Sequence, residues 1–476
     1  MSNPLIGRIV RRLRQEQGMT QQKLASRLGI STSYLNLIEH DQRGVTATLL
    51  IKLTEILQVD LAALSGSDER QIEQALRETF ADPLLGTGPV PESEAQLLAA
   101  SAPAAAQAIL GLYRAFQAVR EETGGITLPS GRKILLPNEE TRDFFHQHAN
   151  HFPEIEAAAE ALGAELPAAS LGMNHALAER LRQKHGLVVS VGPLPGALRI
   201  YDPAARHLRL SEILPRESRG FQMAFQLGLL EGRDLIEPIV KAAAMTTPDA
   251  ASLLRIGLIN YFAGAILMPY APFLAAAASL RHDVEHLAMR FGVSFEQACH
   301  RLSTLQRKGA RGVPMFFLRV DPAGNVSKRF SAAGFPFARF GGNCPRWVIY
   351  AAFAAPGSVR VQIAQLPDGA TYLCFARTIV APAAHWGEPP ATRVVAMGCE
   401  IGRASEFVYA DGIEIEPATV GIGLSCRLCD RPDCRSRAFP PLAHRLNLDI
   451  ATTSTSPYRF EPARSGATAG DVSRKR

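Results

Sequence analysis

Three cysteines near the C-terminus form the densest group of reactive side chains in the sequence. Their spacing is Cys426-x2-Cys429-x4-Cys434. Thiolates this close along the chain can converge on one metal ion or cluster without ordering a long loop. A fourth ligand is required, and Cys399, which follows a predicted strand, is our first choice, with Cys344 as the alternative. The spacing therefore predicts a metal site.

The spacing alone does not identify the metal. A C-x2-C pair is typical of zinc ribbons, but those usually contain a second such pair, which is absent here, so zinc, an iron–sulfur cluster and no metal all stay open. Flanking arginines would favour thiolates, or would equally form a patch for the DNA backbone. These arginines are Arg427, Arg431, Arg435 and Arg437. Cys299 and Cys374 lie in apolar segments and are predicted to be core residues.

The segment from Thr20 to Glu39 has the spacing of two helices joined by a sharp turn. Thr20 and Ser31 are predicted helix caps, and Gly29 supplies the turn between the helices. Ala25 is small enough for the second helix to approach closely. The segment resembles the lambda-repressor-like (Xre-type) helix-turn-helix family at Gln21, Leu24, Ala25, Gly29, Ile30, Leu35, Ile38 and Glu39.

Short polar side chains lie on the outward face of the second helix of this motif. Amides and hydroxyls there can hydrogen-bond base edges in the major groove, and amides in the preceding helix can bind phosphate oxygens. The predicted DNA-binding residues are Gln21, Gln22, Thr32, Ser33, Asn36 and Arg43. Because one such module makes few phosphate contacts, we expect a homodimer on a two-fold operator.

Two segments in the middle of the chain read RGFQMAFQLGLLE (219–231) and GLINYFAGAILMP (257–269). They resemble the zinc endopeptidases of the ImmA and IrrE type, which carry His-Glu-x-x-His on one helix and a further Glu on the next. The corresponding residues here are Phe225, Gln226, Leu229 and Leu258. Phe and Leu cannot bind zinc, and Gln cannot act as a general base. We expect no proteolysis, and the cleft is either plain core or a retained binding pocket.

Length and composition restrict the class of protein. The chain has 476 residues, of which 47 % are hydrophobic, and a net charge of +6. This length predicts more than one domain, and the mild basicity suits a polyanionic partner without requiring one. Seven cysteines are too few for a secreted disulfide scaffold. No apolar run follows the N-terminal charges and no stretch approaches a membrane span, so we expect a cytoplasmic protein.

The predicted fold is multidomain and mainly α-helical. Apolar periodicity and turn residues predict helices at Ser218–Leu230 and Leu253–Leu267, and a series of strands after residue 313 that includes Trp347–Phe353. The expected units are a five-helix helix-turn-helix bundle (1–64), a linker (65–107), an α+β peptidase-like domain (108–312), a β-rich C-terminal domain with the cysteine cluster (313–457) and a disordered tail (458–476).

This order of domains resembles the short-chain fatty acyl-responsive transcriptional regulators. The segments that carry the resemblance are 217–231, 260–269, 340–347, 366–372 and 421–441. The resemblance implies a regulator of short-chain acyl-CoA metabolism, such as propionate, methylcitrate or glyoxylate genes, with a short-chain acyl-CoA as effector. It also favours a [4Fe-4S] redox or oxygen sensor over zinc.

A CoA site needs cations for its phosphates and an aromatic or apolar surface for adenine and the acyl group. For these roles we select Arg182, Arg209 and Tyr261 as ligand-binding residues. Two other function classes stay open. One is a zinc endopeptidase that cleaves a repressor, against which the four replaced positions argue. The other is an antitoxin-like protein whose helix-turn-helix binds only a protein, which the large C-terminal region disfavours.

Overall fold

The computed structural model describes residues 6–59, 64, 67–81, 90–123, 137–166, 172–337, 344–381, 383, 385–441 and 444–460. The fold is multidomain and mainly α-helical, as predicted. Most of the predicted tail and the first residues of the 340–347 segment lie outside these ranges.

Four short helices form the N-terminal bundle, namely α1 (Ile6–Glu16), α2 (Gln21–Leu28), α3 (Thr32–Glu39) and α4 (Ala47–Leu57). The side chains of Thr20 and Ser31 accept hydrogen bonds from backbone N–H groups three residues on, so both act as the predicted caps. Gly29 adopts a left-handed conformation, with φ of 71°, and turns the chain from α2 into α3. The fifth helix that we predict within residues 1–64 has no counterpart among the helices described in that range, and residues 1–5 and 60–63 are not among those described.

The segment that we predict as a linker, 65–107, contains helices instead. These are α5 (Ser67–Phe80), α6 (Glu92–Ser101) and the start of α7 (Pro103–Thr123). They share a small core made of Ala75, Leu76, Ala95, Ala99, Ala106 and Leu110. The prediction is wrong because it equated Ala and Pro content with flexibility. Alanine is the strongest helix former, and Pro103 occupies the first position of a helix, where no N–H is needed.

The middle region sets a three-stranded sheet against a group of helices. The strands β1 (Val188–Gly192), β2 (Arg199–Asp202) and β3 (His207–Ser211) are ordered β1-β3-β2, so β2 is an edge strand. β3 pairs parallel with β1 and antiparallel with β2. The helices are α8 (Pro137–Gln147), α9 (Pro153–Ala164), α10 (Met173–His185), α11 (Arg216–Glu231), α12 (Arg233–Ala242), α13 (Pro248–Leu267), α14 (Tyr270–Ser279), α15 (Val284–Phe291) and α16 (Phe295–Ser303).

Helix α13 is the centre of the middle region, where it contacts α8, α9, α11 and α12. By length and composition it could cross a membrane, so the expectation that no stretch approaches a span is too strict. The bent pair α6–α7 passes the same test if it counts as one span. However, 56 % of the apolar stretch of α13 is buried inside the protein, which is typical of a core helix that is apolar all round.

The C-terminal region is built on a six-stranded sheet ordered β5-β4-β8-β7-β6-β9. One face contributes residues such as Phe317, Phe375 and Met397 to the core of the middle region. The other face, with Phe316 and Cys374, packs on a separate cluster around α17. The elements are β4 (Phe316–Val320), β5 (Val326–Ser331), α17 (Val348–Phe353), β6 (Arg360–Gln365), β7 (Thr371–Ala381), β8 (Ala391–Glu400), α18 (Ile415–Ala418) and β9 (Thr419–Gly421).

Two details differ from the predicted C-terminal domain. The predicted strand Trp347–Phe353 is helix α17, whose buried residues Val348, Ile349 and Ala352 follow the spacing of a helix rather than alternating. The predicted boundary between residues 312 and 313 falls within one continuous core, since the sheet and the middle helices bury residues against each other. A short apolar run does not distinguish a strand from a helix. Periodicity within one segment also does not show that two predicted domains share one hydrophobic core.

Candidate functional site

The predicted DNA-reading surface is formed by α2, the turn at Gly29, and α3. Thr32, Ser33 and Asn36 are exposed on α3, and Gln22 and Arg43 are exposed on either side of it along the chain. Gln21 is half-buried, and its Nε2 donates to Asn36 Oδ1 at 3.2 Å and to Glu39 Oε2 at 3.1 Å. The structure therefore exposes Thr32, Ser33 and Asn36 on α3 and links Gln21 to the same helix, an arrangement that suits a major groove.

A buried ion pair supports this surface from beneath. Arg14 on α1 donates to both carboxylate oxygens of Glu39 at 2.7 and 2.9 Å. This hydrogen bonding to Glu39 raises the pKa of Arg14. Glu39 also accepts a hydrogen bond from Gln21, so the Arg14–Glu39 pair fixes the position of Gln21 in the predicted DNA-reading surface. The sequence reasoning missed Arg14, because a charged residue at a core position gives no periodic signal.

The four positions that correspond to peptidase ligands and base form no metal site. Phe225 and Leu258 are buried core residues, and Gln226 is fully buried. The guanidinium of Arg199 on β2 lies 4.2 Å from the centroid of the Phe225 ring, and its Nη1 donates to Gln226 Oε1 at 3.0 Å. None of these groups supplies a zinc ligand or a carboxylate base. We call this place the former peptidase cleft.

A cavity of about 550 Å³ lies between α8, α11, α13, α16 and β5, and we call it the central cavity. Its wall combines cations with aromatic rings. The cations are Arg142, Arg301, Lys328 and Arg329, and the rings belong to Phe145, Phe221, Tyr261, Phe317 and Phe330. The carboxylate that lines it is Glu296, so the wall is positive on balance. Burial lowers the pKa of His300 to about 3, so this lining residue is neutral at pH 7.

One end of the central cavity is closed by a buried network. Arg301 donates to both oxygens of Glu156 at 2.6 and 2.9 Å, and Tyr261 Oη donates to Glu156 at 2.6 Å. Burial raises the pKa of Tyr261 well above its usual value, and the negative charge of Glu156 adds to that effect. The phenol therefore stays protonated. Tyr261 is thus held rigidly, with its ring in the cavity wall.

Of the three predicted ligand-binding residues, Tyr261 alone lines the central cavity. Arg182 lies in the last turn of α10, where it forms an exposed ion pair with Glu179. Arg209 is exposed on β3. The structure does not bring these two arginines to Tyr261, because both lie on the outer surface of elements whose inner faces form the core. The cations that the cavity does contain carried no distinguishing signal in the sequence.

The cysteine prediction requires one correction, which concerns the fourth residue. Cys426, Cys429 and Cys434 line one small pocket together with Cys344, not with Cys399. Cys399 is buried on β8 opposite Leu373, among core residues, and burial raises its pKa far above the usual range. The end of a strand suggested an accessible thiol, but the side chain turns into the core. We call the group Cys344, Cys426, Cys429 and Cys434 the cysteine pocket.

Backbone N–H groups point at the sulfurs of the cysteine pocket. The N–H of Ala438 donates to Cys426 Sγ at 3.3 Å. Burial raises the pKa of Cys344, and the N–H groups of Gly423 and Arg346 oppose that rise. Burial likewise raises the pKa of Cys429, against the N–H of Arg431 and the charge of Arg437. Within the described part of the chain, no group of three or more His, Cys, Asp or Glu side chains is arranged to hold a metal ion. The thiols converge on one pocket without closing around a point.

Two of the flanking arginines hold this loop rather than facing DNA. Buried Arg437 donates to the carbonyl oxygens of Cys426 at 2.6 Å, Cys429 at 2.7 Å and Arg431 at 2.9 Å. Arg431 donates to the carbonyl of Gln365 at 2.9 Å and lies against Gly421, where a Cβ atom would come within 2.4 Å of its Nη1. The loop is thus fastened by arginine-to-carbonyl hydrogen bonds that short-range sequence patterns do not reveal.

Three family models match consecutive parts of the chain. They are Helix-turn-helix at residues 10–64, IrrE N-terminal-like domain at residues 182–303, and Short-chain fatty acyl coenzyme A regulator, C-terminal, at residues 304–458. Together with the geometry above, they define a helix-turn-helix transcriptional regulator with a degenerate peptidase-like domain. The chain belongs to the family of short-chain fatty acyl coenzyme A regulators.

Full-length relatives support this assignment. The propionyl-CoA carboxylase regulator of Cereibacter sphaeroides is 41 % identical over 95 % of this chain and 98 % of its own length. The HTH-type transcriptional regulators RamB and PrpR of Mycobacterium tuberculosis are 40 % and 39 % identical, each over 96 % of this chain, and over 99 % and 96 % of their own lengths. The solved structure of a Mycobacterium tuberculosis transcriptional regulator has a TM-score of 0.65 at 41 % identity, and covers 68 % of this chain and 100 % of that one.

Proposed function

We propose that the chain is a cytoplasmic transcription regulator whose binding to operator DNA responds to a short-chain acyl-CoA in the central cavity. The observation that carries the proposal is the combination of volume, cations and aromatic rings in that one cavity. A CoA ester has a phosphorylated adenosine end and an apolar acyl end, so it needs both kinds of wall.

The distribution of groups in the cavity suits the two ends of such a ligand. Lys328 and Arg329 on β5 supply positive charge for phosphates. The Tyr261 ring and the paired Arg301 close the other end with few free donors, which suits an acyl chain. The name of the C. sphaeroides relative refers to the regulation of propionyl-CoA carboxylase, and for this reason we choose propionyl-CoA as the test ligand.

Calorimetry on the full-length protein with propionyl-CoA tests this assignment. We expect Lys328→Gln to weaken binding about 5- to 30-fold, because one charge-assisted contact to phosphate contributes about 1–2 kcal/mol. Tyr261→Ala should weaken it further, since it removes part of the wall. Arg209→Gln and Arg182→Gln are matched controls outside the cavity. Equal affinities in all four variants would refute the site.

A footprint on operator DNA tests the regulatory step. Saturating propionyl-CoA should change the affinity for operator DNA at least about fivefold. The footprint is then either lost or strengthened. Free CoA serves as the comparison ligand, because it lacks only the acyl group. The Thr32→Ala/Asn36→Ala variant should lose the footprint with or without ligand. An antitoxin-like protein that binds only a protein partner would give no footprint at all.

We further propose that the cysteine pocket holds a [4Fe-4S] cluster, with zinc as the alternative. The donor set consists of thiols, and backbone N–H groups already point at the sulfurs, as favours cluster thiolates. Such a cluster supplies one-electron redox chemistry. Cys344, Cys426, Cys429 and Cys434 would hold it, and Arg437 would orient two of them through their carbonyls. An absorbance spectrum after anaerobic purification discriminates, because a colourless protein with stoichiometric zinc would exclude the cluster.

We also infer a homodimer and the absence of peptidase activity. One helix-turn-helix offers few contacts, so a two-fold operator calls for two copies. Sedimentation of the full-length protein should give twice the chain mass, and a monomer at the concentrations that protect operator DNA would refute the dimer.

The residues at the former peptidase cleft supply neither metal ligands nor a base. Cleavage of any repressor by protein lacking cysteine-bound metal would overturn that inference.

A further inference from the structure

A cation in the former peptidase cleft has no counter-charge. The Arg199 guanidinium is half-buried, stacks on Phe225 and donates from Nη1 to Gln226. Among the residues that the structure describes, no carboxylate pairs with it, and burial alone lowers its pKa. Keeping a guanidinium partly out of water without an anion costs free energy, so such cations are usually completed by a partner.

The neighbouring amide is also incomplete. Gln226 is fully buried, and its Oε1 accepts from Arg199, but its Nε2 has no hydrogen-bond partner in the described part of the chain. Buried side-chain donors are nearly always satisfied, so each exception calls for an explanation. A guanidinium without a carboxylate partner and a buried amide N–H group without an acceptor therefore adjoin each other between α11 and the edge strand β2.

We propose that Arg199 and Gln226 form a binding site for the carboxylate group of a small organic acid. A carboxylate has two acceptor oxygens and one negative charge, which match the planar donor fork of a guanidinium beside an amide. The guanidinium supplies at this place the positive charge that a metal ion supplies in the zinc enzymes. It can hold an oxyanion but cannot activate water.

The site is separate from the central cavity. Phe225, Gln226 and Arg199 are absent from the lining of that cavity, which takes Ser218 and Phe221 from the same helix, α11. Among the described residues, β2 lies at the edge of its sheet. The two sites share a helix, and the proposal does not depend on acyl-CoA binding.

Thermal unfolding of the full-length protein with sodium propionate and sodium acetate tests the site. Sodium chloride at equal ionic strength controls for salt. We expect the carboxylates to raise the unfolding temperature in a saturable way, because a ligand bound only to the folded state stabilises it. Arg199→Gln should weaken the apparent affinity at least tenfold. Arg209→Gln, on the strand paired with β2, removes an exposed arginine and should change nothing.

Gln226→Glu is a second, sharper variant. It places a carboxylate beside Arg199, so it should raise the unfolding temperature without ligand and abolish the response to propionate. Propionyl-CoA binding should persist in all three variants, which separates this site from the central cavity. The proposal is overturned if chloride protects as well as propionate, if inorganic phosphate alone protects, or if Arg199→Gln and Gln226→Glu keep the wild-type response.

Discussion

The former peptidase cleft and the cysteine pocket each bring together side chains that are distant along the chain, but different forces hold the two sets in place. The cleft is held by helix packing. Gly228 on α11 allows close contact with Ile259 and Phe262 on α13, both buried. The cysteine pocket is held by hydrogen bonds from Arg437 and Arg431 to loop carbonyls.

This difference explains why one site tolerates the loss of its metal chemistry. Replacing zinc ligands by Phe and Leu in a packed helix pair adds apolar surface to an existing core, which stabilises it. A short loop has no such core, so its geometry depends on polar contacts and, on our proposal, on a metal centre. Four predictions test the contrast between the packed cleft and the fastened loop.

The largest expected effect is on metal content. Cys434→Ala should lower the bound metal by at least about tenfold, because it removes one of four proposed ligands. Cys399→Ala is the matched control and should retain the wild-type content. Elemental analysis of anaerobically purified protein measures both. Full retention in Cys434→Ala would mean that the loop does not depend on a metal centre.

The second effect concerns the buried charge pair of the middle region. Arg301→Met should lower the free energy of unfolding by about 3–5 kcal/mol at pH 7, because it leaves Glu156 buried without a counter-charge. Denaturant titration measures the loss. Adding Glu156→Gln should restore part of it. If the double variant is no more stable than the single one, packing rather than charge dominates here as well.

The Arg301–Glu156 pair also predicts how the stability of the protein depends on pH. Burial on its own raises the pKa of Glu156, but hydrogen bonds and charge from Arg301 outweigh this and leave the pKa below its ordinary 4.5. The stabilisation that ionised Glu156 contributes to the folded state is therefore complete above pH 4.5. It is lost as the pH falls through the lower pKa that Glu156 has in the folded protein. Arg301→Met should reverse this trend, because a carboxyl buried alone gains stability on protonation.

Local sequence patterns predicted the parts of the molecule that short-range physics decides. The caps Thr20 and Ser31 and the turn at Gly29 follow from residue type and position. Convergence of distant residues followed only in part, since Cys399 was our first choice as the fourth cysteine and Cys344 the alternative. Cys344 is more than eighty residues from Cys426 along the chain, yet both line the same pocket. The cations of the central cavity were hidden for the same reason.

The third effect tests the fastening of the loop. Arg437→Met should cost about 2–4 kcal/mol of loop stability, because it strands three carbonyl acceptors that charged hydrogen bonds now satisfy. Arg435→Met, two residues away and exposed, should cost almost nothing. Hydrogen exchange across residues 421–441 reports the local change. Equal protection in the two variants would show that the arginine fastening is not required.

The smallest effect tests packing in the cleft. A Cβ atom at Gly228 would lie 3.1 Å from both Ile259 Cγ2 and Phe262 Cδ1, whereas one at Gly264 meets nothing within 4 Å. Gly228→Ala should therefore lower the free energy of unfolding by about 1–3 kcal/mol through overpacking. Gly264→Ala should raise it by up to about 1 kcal/mol, since alanine favours the helix. Because neither change touches a hydrogen bond, a larger loss at Gly228 than at Gly264 isolates apolar packing as the force that holds α11 against α13.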